Sequence, residues 1–313
     1  MNAIILKEAG DVNQLQLVEI EKPIAAVGEV VVKTQALSIN PVDMKTRLGK
    51  SFYNEFKSKY DPIILGWDIS GIVESVGENA TEFKVGDQVF GMVNFPGHGK
   101  AYAEYVAAPA SHLAKKPSNV SHEEAAAATL AALTAYQILN RHIKKGDRVL
   151  IHAAAGGVGH YAVQIAKILG AEVIGTASAK NIDFVQSLGA DQVIDYSAQP
   201  FENAVKDVDF VLDTLSGETL YRSINVVKNG GTIISLPSAG FNQEMVEAGQ
   251  QKNIHIAFEM VESSGKDMQQ IADWLESGQL KSTVSQTFPL VQMSQAHASL
   301  ETGRTRGKIV ITV

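Results

Sequence analysis

The chain has 313 residues, 45% of them hydrophobic and 19% charged, with a formal net charge of −7 and no cysteine. The length suits about two domains. The negative balance speaks against a nucleic-acid-binding surface, and zero cysteines exclude disulfides, thiolate zinc sites and a cysteine nucleophile. No apolar run reaches the roughly 18 residues of a membrane span. MNAIILKEAG shows no basic region followed by an apolar core, so the expected location is the cytoplasm, with no membrane partner.

Residues 1–122 read as mostly β. AIILKEA, LQLVEI, EVVVKTQAL, ISGIVESVG and QVFGMV are short strand-like runs separated by Gly, Pro, Asn and Asp. The stretch Ile39–Asp68 is less regular, with short helices expected around Lys45–Arg47 and Tyr53–Lys59. Val76–Gly91 reads as a hairpin with a tight turn at Val85-Gly86-Asp87. Ser121–Leu139 changes character: Ser121 with Glu124 is a capping-box signature, and the alanine-rich run is strongly helical. A domain boundary is therefore expected near Glu123, giving a second domain over 123–262.

That second domain is organised around Arg148–Asn181. Val149-Leu150-Ile151 suits a strand buried on both faces, and Gly156, Gly157, Val158 and Gly159 form a turn. Ala162, Ile165, Ala166 and Leu169 then keep helical spacing, and Val173 to Thr176 is a second strand. Strand, glycine turn, helix, strand is the frame of a dinucleotide-binding unit, although Ala154 stands where G-x-G-x-x-G has its first glycine. Glycines let the backbone approach a pyrophosphate, whose charge suits a helix N-terminus. An NAD site has a carboxylate about 20 residues on, for the ribose 2′-OH. Here the second strand ends at Ser178, followed by Lys180 and Asn181: a hydroxyl, an ammonium and an amide that suit the 2′-phosphate of NADPH. Ser178 also fits the N-cap of the next helix.

Further strands are expected at 192–196, 208–214, 232–237 and 254–260, with helices at about 181–188 and 218–227. From Ser263 an amphipathic helix, KDMQQIADWLESG, precedes a strand, a short helix and a closing strand. Some 50 terminal residues are too few for a separate core, so 263–313 is expected to rejoin 1–122.

INPVDMKTRLG, LGWDISGIVESVG, FKVGDQVFG, AYAEYV, LAALTAY, HAAAGGVG and GRTRGKIVI resemble the zinc-independent quinone oxidoreductase branch of the medium-chain dehydrogenase/reductase superfamily. The resemblance runs over essentially the whole chain. It implies an α/β protein: a discontinuous GroES-like β-rich catalytic domain plus a Rossmann doubly wound, six-stranded parallel sheet. Zinc-dependent members of the superfamily carry a cysteine where this chain has Asn40, and a histidine in L-G-H-E where it reads Leu65-Gly66-Trp67-Asp68. None of the eight histidines is spaced as a metal pair. His98 reads as a loop residue, His152 as strand-side and His160 as helix-surface.

The resemblance further implies NADPH-dependent reduction of a quinone or an α,β-unsaturated carbonyl, acceptors that already delocalise incoming negative charge. Asn40 matches the family's asparagine in N-P-x-D, which can bond the nicotinamide ribose or the substrate carbonyl. Lys45 matches a lysine of the enone reductases, suited to stabilise an enolate oxygen or relay a proton. Tyr53 corresponds in position to a tyrosine of related enoyl reductases, and Asp43 reads as a capping residue. On the cofactor side, Thr134 is expected near the nicotinamide and Tyr196 beside the adenosine. Backbone groups of Leu215 and Leu236 are expected at the nicotinamide ribose and carboxamide, and Lys308 at a phosphate. Homodimerisation is a family expectation. A 2-enoyl-thioester reductase, with Lys50, Lys57 and Lys59 as a phosphate patch, and a non-enzymatic, crystallin-like NADPH-binding protein are the competing readings.

Overall fold

Glu29–Ser38, a nearly continuous apolar run, forms the long strand around which the first of two units is built. The structure is a computed structural model that describes residues 1–237 and 242–313. One unit comprises Met1–Leu133 with Glu262–Val313, the other Thr134–Val261. In chain order the first unit contributes β1 (Asn2–Leu6), β2 (Leu15–Glu19), β3 (Glu29–Ser38), α1 (Pro41–Arg47), α2 (Tyr53–Lys59), β4 (Ile63–Ile64) and β5 (Asp68–Val76). β6 (Gln88–Met92), β7 (Tyr105–Pro109), β8 (Leu113–Lys115) and α3 (His122–Ala127) follow.

The next elements are α4 (Leu130–His142), β9 (Arg148–Ile151), α5 (Gly159–Ile168), β10 (Glu172–Ala177), α6 (Ile182–Ser187), β11 (Gln192–Asp195) and β12 (Val208–Asp213). α7 (Gly217–Ser223), β13 (Val227–Ser235), α8 (Gln243–Gln251) and β14 (His255–Phe258) complete the second unit. α9 (Gly265–Glu276), β15 (Val284–Pro289), α10 (Met293–Glu301) and β16 (Lys308–Thr312) return to the first.

Among the described residues, the second unit's sheet has six parallel strands in the order β11-β10-β9-β12-β13-β14. The order reverses at β9, so the β9/β12 crevice is the topological switch point where such sheets bind ligands. Its strands read as apolar runs because helices cover both faces: Leu150, Ile174, Val211 and Ile233 lie in one buried cluster with Leu220 and Ile224 of the helical layer. The first unit carries a seven-stranded sheet, β15-β16-β3-β5-β6-β8 with β7 on β3, and a small β2-β1-β4 sheet. β16 pairs antiparallel with β3, which fastens the chain's C-terminal segment into that sheet.

The helical stretch over Ser121–Leu139 is divided into two helices, α3 and α4. The Leu130 N–H is donated to the Asp68 carboxylate at 3.0 Å, outside the helical ladder. The two units divide between Leu133 and Thr134, where a boundary near Glu123 was expected. α3 packs on the first unit, with Ala126 and Ala127 against Ala36 and Val310, and the His122 ring 2.8 Å from Ser70 Oγ. The helix expected at 218–227 is also shorter, because Val227 already belongs to β13.

Candidate cofactor turn and buried polar network

In the second unit the chain leaves β9 and turns at Ala153, which sits in the left-handed region at φ +49°. Ala154 is fully buried, its N–H on the Thr176 carbonyl of β10 (2.9 Å), so the position that often holds glycine is a small residue in a tight seam. Gly156 N–H closes the turn on Ala153 O at 2.8 Å, and Gly159 opens α5. A Cβ on Gly159 would stand 2.3 Å from Ala153 O and 2.8 Å from Ala154 Cα, both backbone atoms. The turn is a cradle that a side chain would fill, at the start of a ten-residue helix, which suits a pyrophosphate.

His160 is buried and not on the helix surface as expected. Its Nδ1 donates to the Gly156 carbonyl at 2.9 Å and so fastens the turn. His152 is buried too, with Nε2 2.9 Å from Ser223 Oγ. Ser223 Oγ donates its own proton to Thr219 O, so it accepts from His152. Burial pushes the imidazole down to about 3.

Ser178, Lys180 and Asn181 lie together beyond the end of β10. Asn181 Nδ2 donates to Ser178 Oγ at 3.3 Å, and Lys180 is exposed. Ser178 occupies an N-cap position but makes no side-chain cap bond. Asp195, at the end of β11, is the nearby acid. Bonds from Ser197 Oγ and N–H, and from Ala179 N–H, hold its carboxyl below the usual carboxylate range. Tyr196 follows it and is 59% exposed, free to lie against a ring.

Thr134 is buried on α4. The N–H groups of Leu215 and Leu236, expected to face the nicotinamide, are already donated to Asp213, to Oδ1 at 3.1 Å and to the carbonyl at 2.9 Å. Only their carbonyls remain. Asp213 also accepts from Ser216 N–H and Ser235 Oγ (2.9 and 2.7 Å), so it anchors both loops beyond β12 and β13. Sequence reasoning missed it; an acid ending an apolar strand was the available signal.

In the first unit Asn40 ends β3's extension and caps α1. Asp43 Oδ2 accepts from Asn40 N–H at 2.6 Å, and burial pushes its carboxyl up to about 7 against that bond. Asn40 Nδ2 donates to Asp68 Oδ2 at 2.7 Å, and Ser38 Oγ to the same oxygen at 2.6 Å. Lys308 is 3% exposed; its ammonium donates to Ile39 O at 3.0 Å and to Asn40 Oδ1, and lies 3.8 Å from Asp68 Oδ2. Where a phosphate contact was expected, this ammonium is buried and engaged by those groups.

Tyr53 is buried, and its hydroxyl accepts from Ala9 N–H at 3.1 Å, a contact that braces the fold. Lys45 is exposed on α1. Lys59 pairs with Glu55 (2.8 Å) and Lys57 lies over the Tyr53 ring, which spends much of the expected basic patch.

Trp67, where zinc-dependent relatives carry histidine, is fully buried and donates Nε1–H to Gly97 O at 2.6 Å. His98 lies in the loop between β6 and β7, as expected, with its side chain buried: Nε2 accepts from Ile64 N–H, and burial holds the ring at about 4. Among the described residues no group of three or more His, Cys, Asp or Glu is arranged to hold a metal ion, and no helix is long and apolar enough to cross a membrane.

Two family models match the chain: an alcohol dehydrogenase GroES-like domain over residues 26–118 and a zinc-binding dehydrogenase over 188–311. The chain is 34% identical over 329 residues to a 2-methylene-furan-3-one reductase of Solanum lycopersicum, covering 99% of this chain and 79% of that one. The quinone oxidoreductase of Coxiella burnetii superposes with a TM-score of 0.94 at 37% identity, over 100% of this chain and 99% of that one. The Escherichia coli quinone oxidoreductase, solved with NADPH, gives 0.89 at 28% identity over the full length of both.

Proposed function

Because this chain belongs to the medium-chain dehydrogenase/reductase superfamily, we propose that it is an NADPH-dependent reductase of quinones or α,β-unsaturated carbonyls. The observation that carries the reading is the second unit's donor set. A backbone cradle at Gly156–Gly159 adjoins β10, beyond whose end lie Ser178, Lys180 and Asn181. Those groups fit a pyrophosphate and a 2′-phosphate. The likeness to a quinone oxidoreductase solved with NADPH supports the same cofactor. Bound NADPH supplies the hydride equivalent.

The chain's own residues do the rest. Gly157, Val158 and Gly159 hold the pyrophosphate by backbone N–H groups in the turn that Gly156 closes, Ser178 and Lys180 grip the 2′-phosphate, and Tyr196 covers the adenine. Lys45 meets the charge that develops on the acceptor oxygen, and the Asn40 amide orients the carbonyl or the ribose. Homodimers would pair through β14, which among the described residues has a strand neighbour on one side only.

The test is NADPH oxidation with a quinone, an enone and an enoyl thioester in parallel. Turnover of the quinone or enone is the expected result. Turnover of the thioester alone would replace this reading with the enoyl-thioester one, and tight NADPH binding without turnover would leave a non-enzymatic binder. In the same assay Lys45→Ala should lower kcat about tenfold or more, the scale of one lost charge-assisted hydrogen bond, while NADPH affinity stays unchanged. Unchanged turnover would remove Lys45 from the reaction.

Lys180→Ala checks the cofactor. Losing one charged hydrogen bond to a phosphate should weaken NADPH by about tenfold and leave NADH within about twofold. Equal effects on both would contradict the assignment.

A further inference from the structure

We infer that Lys308 is a positioning residue: its buried ammonium fixes and polarises the side-chain amide of Asn40, so that one N–H of that amide is held ready for the acceptor oxygen or the cofactor ribose. The inference rests on the reductase reading above. It departs from what the sequence suggested for Lys308, a contact to a phosphate.

The geometry leaves little freedom. Asn40 Oδ1 accepts from Lys308 and its Nδ2 donates to Asp68 Oδ2 at 2.7 Å. A carboxylate only accepts and an ammonium only donates, so between these two groups the amide has one orientation and cannot flip. Nδ2 carries two hydrogens, and Asp68 takes one. The other has no partner among the described residues, and it is the donor the reaction can use.

Asp68 is saturated on its own side. Oδ2 accepts from Ser38 Oγ as well as Asn40, and Oδ1 from Leu130 N–H at 3.0 Å. All of these groups lie buried in the first unit, where a charge needs a partner. Asp68 and Lys308, 3.8 Å apart, compensate one another across the amide.

An ammonium on the amide oxygen draws electron density from nitrogen. Charge-assisted bonds are roughly twice as strong as neutral ones, and bonds in series polarise each other. The remaining Asn40 N–H is thus a better donor than a free carboxamide would supply. Burial lowers the affinity of Lys308 for its proton, while the charges of Asp68 and Asp43 act to keep it. The ammonium is held in place by Ile39 O as a second fixed acceptor, at 3.0 Å.

The experiment is a double-mutant cycle of Lys308→Met and Asn40→Ala on the full-length protein. It reads kcat with a quinone or enone, NADPH dissociation by fluorescence, and unfolding by urea. Lys308→Met should lower kcat by about tenfold to a hundredfold, the scale of leaving one buried polar group unpaired. NADPH affinity should stay within about threefold, and Asn40→Ala should leave little for Lys308→Met to remove. If Lys308→Met does not fold, Lys308→Arg carries the same comparison: it keeps the charge but cannot seat a planar guanidinium on one amide oxygen.

Effects on kcat that multiply in the double mutant overturn the inference. So does a tenfold weaker NADPH complex with unchanged kcat, which would restore the phosphate contact. A wild-type protein that binds NADPH and reduces no acceptor overturns the reductase reading, and this inference with it.

Discussion

Gly159→Val is expected to weaken NADPH binding about a hundredfold and to destabilise the second unit. A Cβ at this position meets Ala153 O at 2.3 Å and Ala154 Cα at 2.8 Å, closer than real Cβ atoms come, and both obstacles are main chain. Neither can rotate away, so α5 must lift off β9, and the cradle opens with it. Overpacking of this kind costs about 1–3 kcal/mol or more in stability. A displaced set of N–H donors costs about another 3 kcal/mol in binding, near a hundredfold in affinity.

Gly156→Ala provides the contrast. Its Cβ would lie 3.2 Å from Ala153 O, tight but relieved by a few tenths of an ångström. That variant should keep most of its stability while binding NADPH more weakly. Titration of NADPH fluorescence alongside urea unfolding reads both effects. A Gly159→Val protein that binds NADPH like the wild type would show that this turn is not the phosphate cradle.

Acid should destabilise the protein from about pH 6.5 downward, starting before its surface carboxylates titrate. His152 and His297 are buried, and burial pushes both imidazoles down from 6.5 to about 3, with Arg222 and Arg47 adding to the effect. In the unfolded chain each takes a proton near pH 6.5; in the folded protein neither does until about pH 3. The unfolded state therefore binds more protons throughout that window, and stability falls as pH falls. Fully developed, the loss is about 4–5 kcal/mol per histidine, at 1.36 kcal/mol per pKa unit. Two such losses rival the total stability of an ordinary protein, roughly 5–15 kcal/mol.

One group works in the opposite direction. Burial raises Asp43 from 3.8 to about 7, so the folded protein holds that proton where the unfolded chain has lost it, and stability gains as pH falls through 7 toward 3.8. His98, held at about 4, adds to the histidine side. Three histidines against one carboxyl leave a net uptake of at least about two protons on unfolding between pH 6 and pH 5, and His112 and His122, which burial also lowers, add to it. Urea unfolding at a series of pH values measures that slope directly. His297→Gln, which keeps a hydrogen-bonding group for the Tyr102 hydroxyl 2.9 Å away, should reduce the slope by about one proton. A stability that is flat over this range, or a slope the variant leaves unchanged, would contradict the assignment.

The cofactor turn and the buried network differ in how far a reader of the sequence could foresee them. Val149 to Ile151, the glycines at 156, 157 and 159, the helical spacing to Leu169 and the donors at 178–181 are all local. Periodicity, turn chemistry and residue type act over a few positions, so the strand, turn, helix and strand are written in consecutive residues. The same holds for the capping box at Ser121 and for the apolar runs that became six parallel strands.

What a long side chain meets is settled only when distant segments pack. From the sequence Lys308 is expected at a phosphate. Pairing β16 with β3 placed it beside Ile39 and Asn40, where a carboxylate from β5 balances its charge. Tyr53 became a brace because Ala9 offered an N–H. His160 turned inward because Gly156 O lay one helical turn behind it. Asp68 split the alanine-rich helix by taking the N–H of Leu130, more than sixty residues further along the chain. Sequence alone determined the frame of the nucleotide site. Tertiary structure decided which charges are buried, because burial and pairing depend on which segments meet, and local pattern carries no record of that.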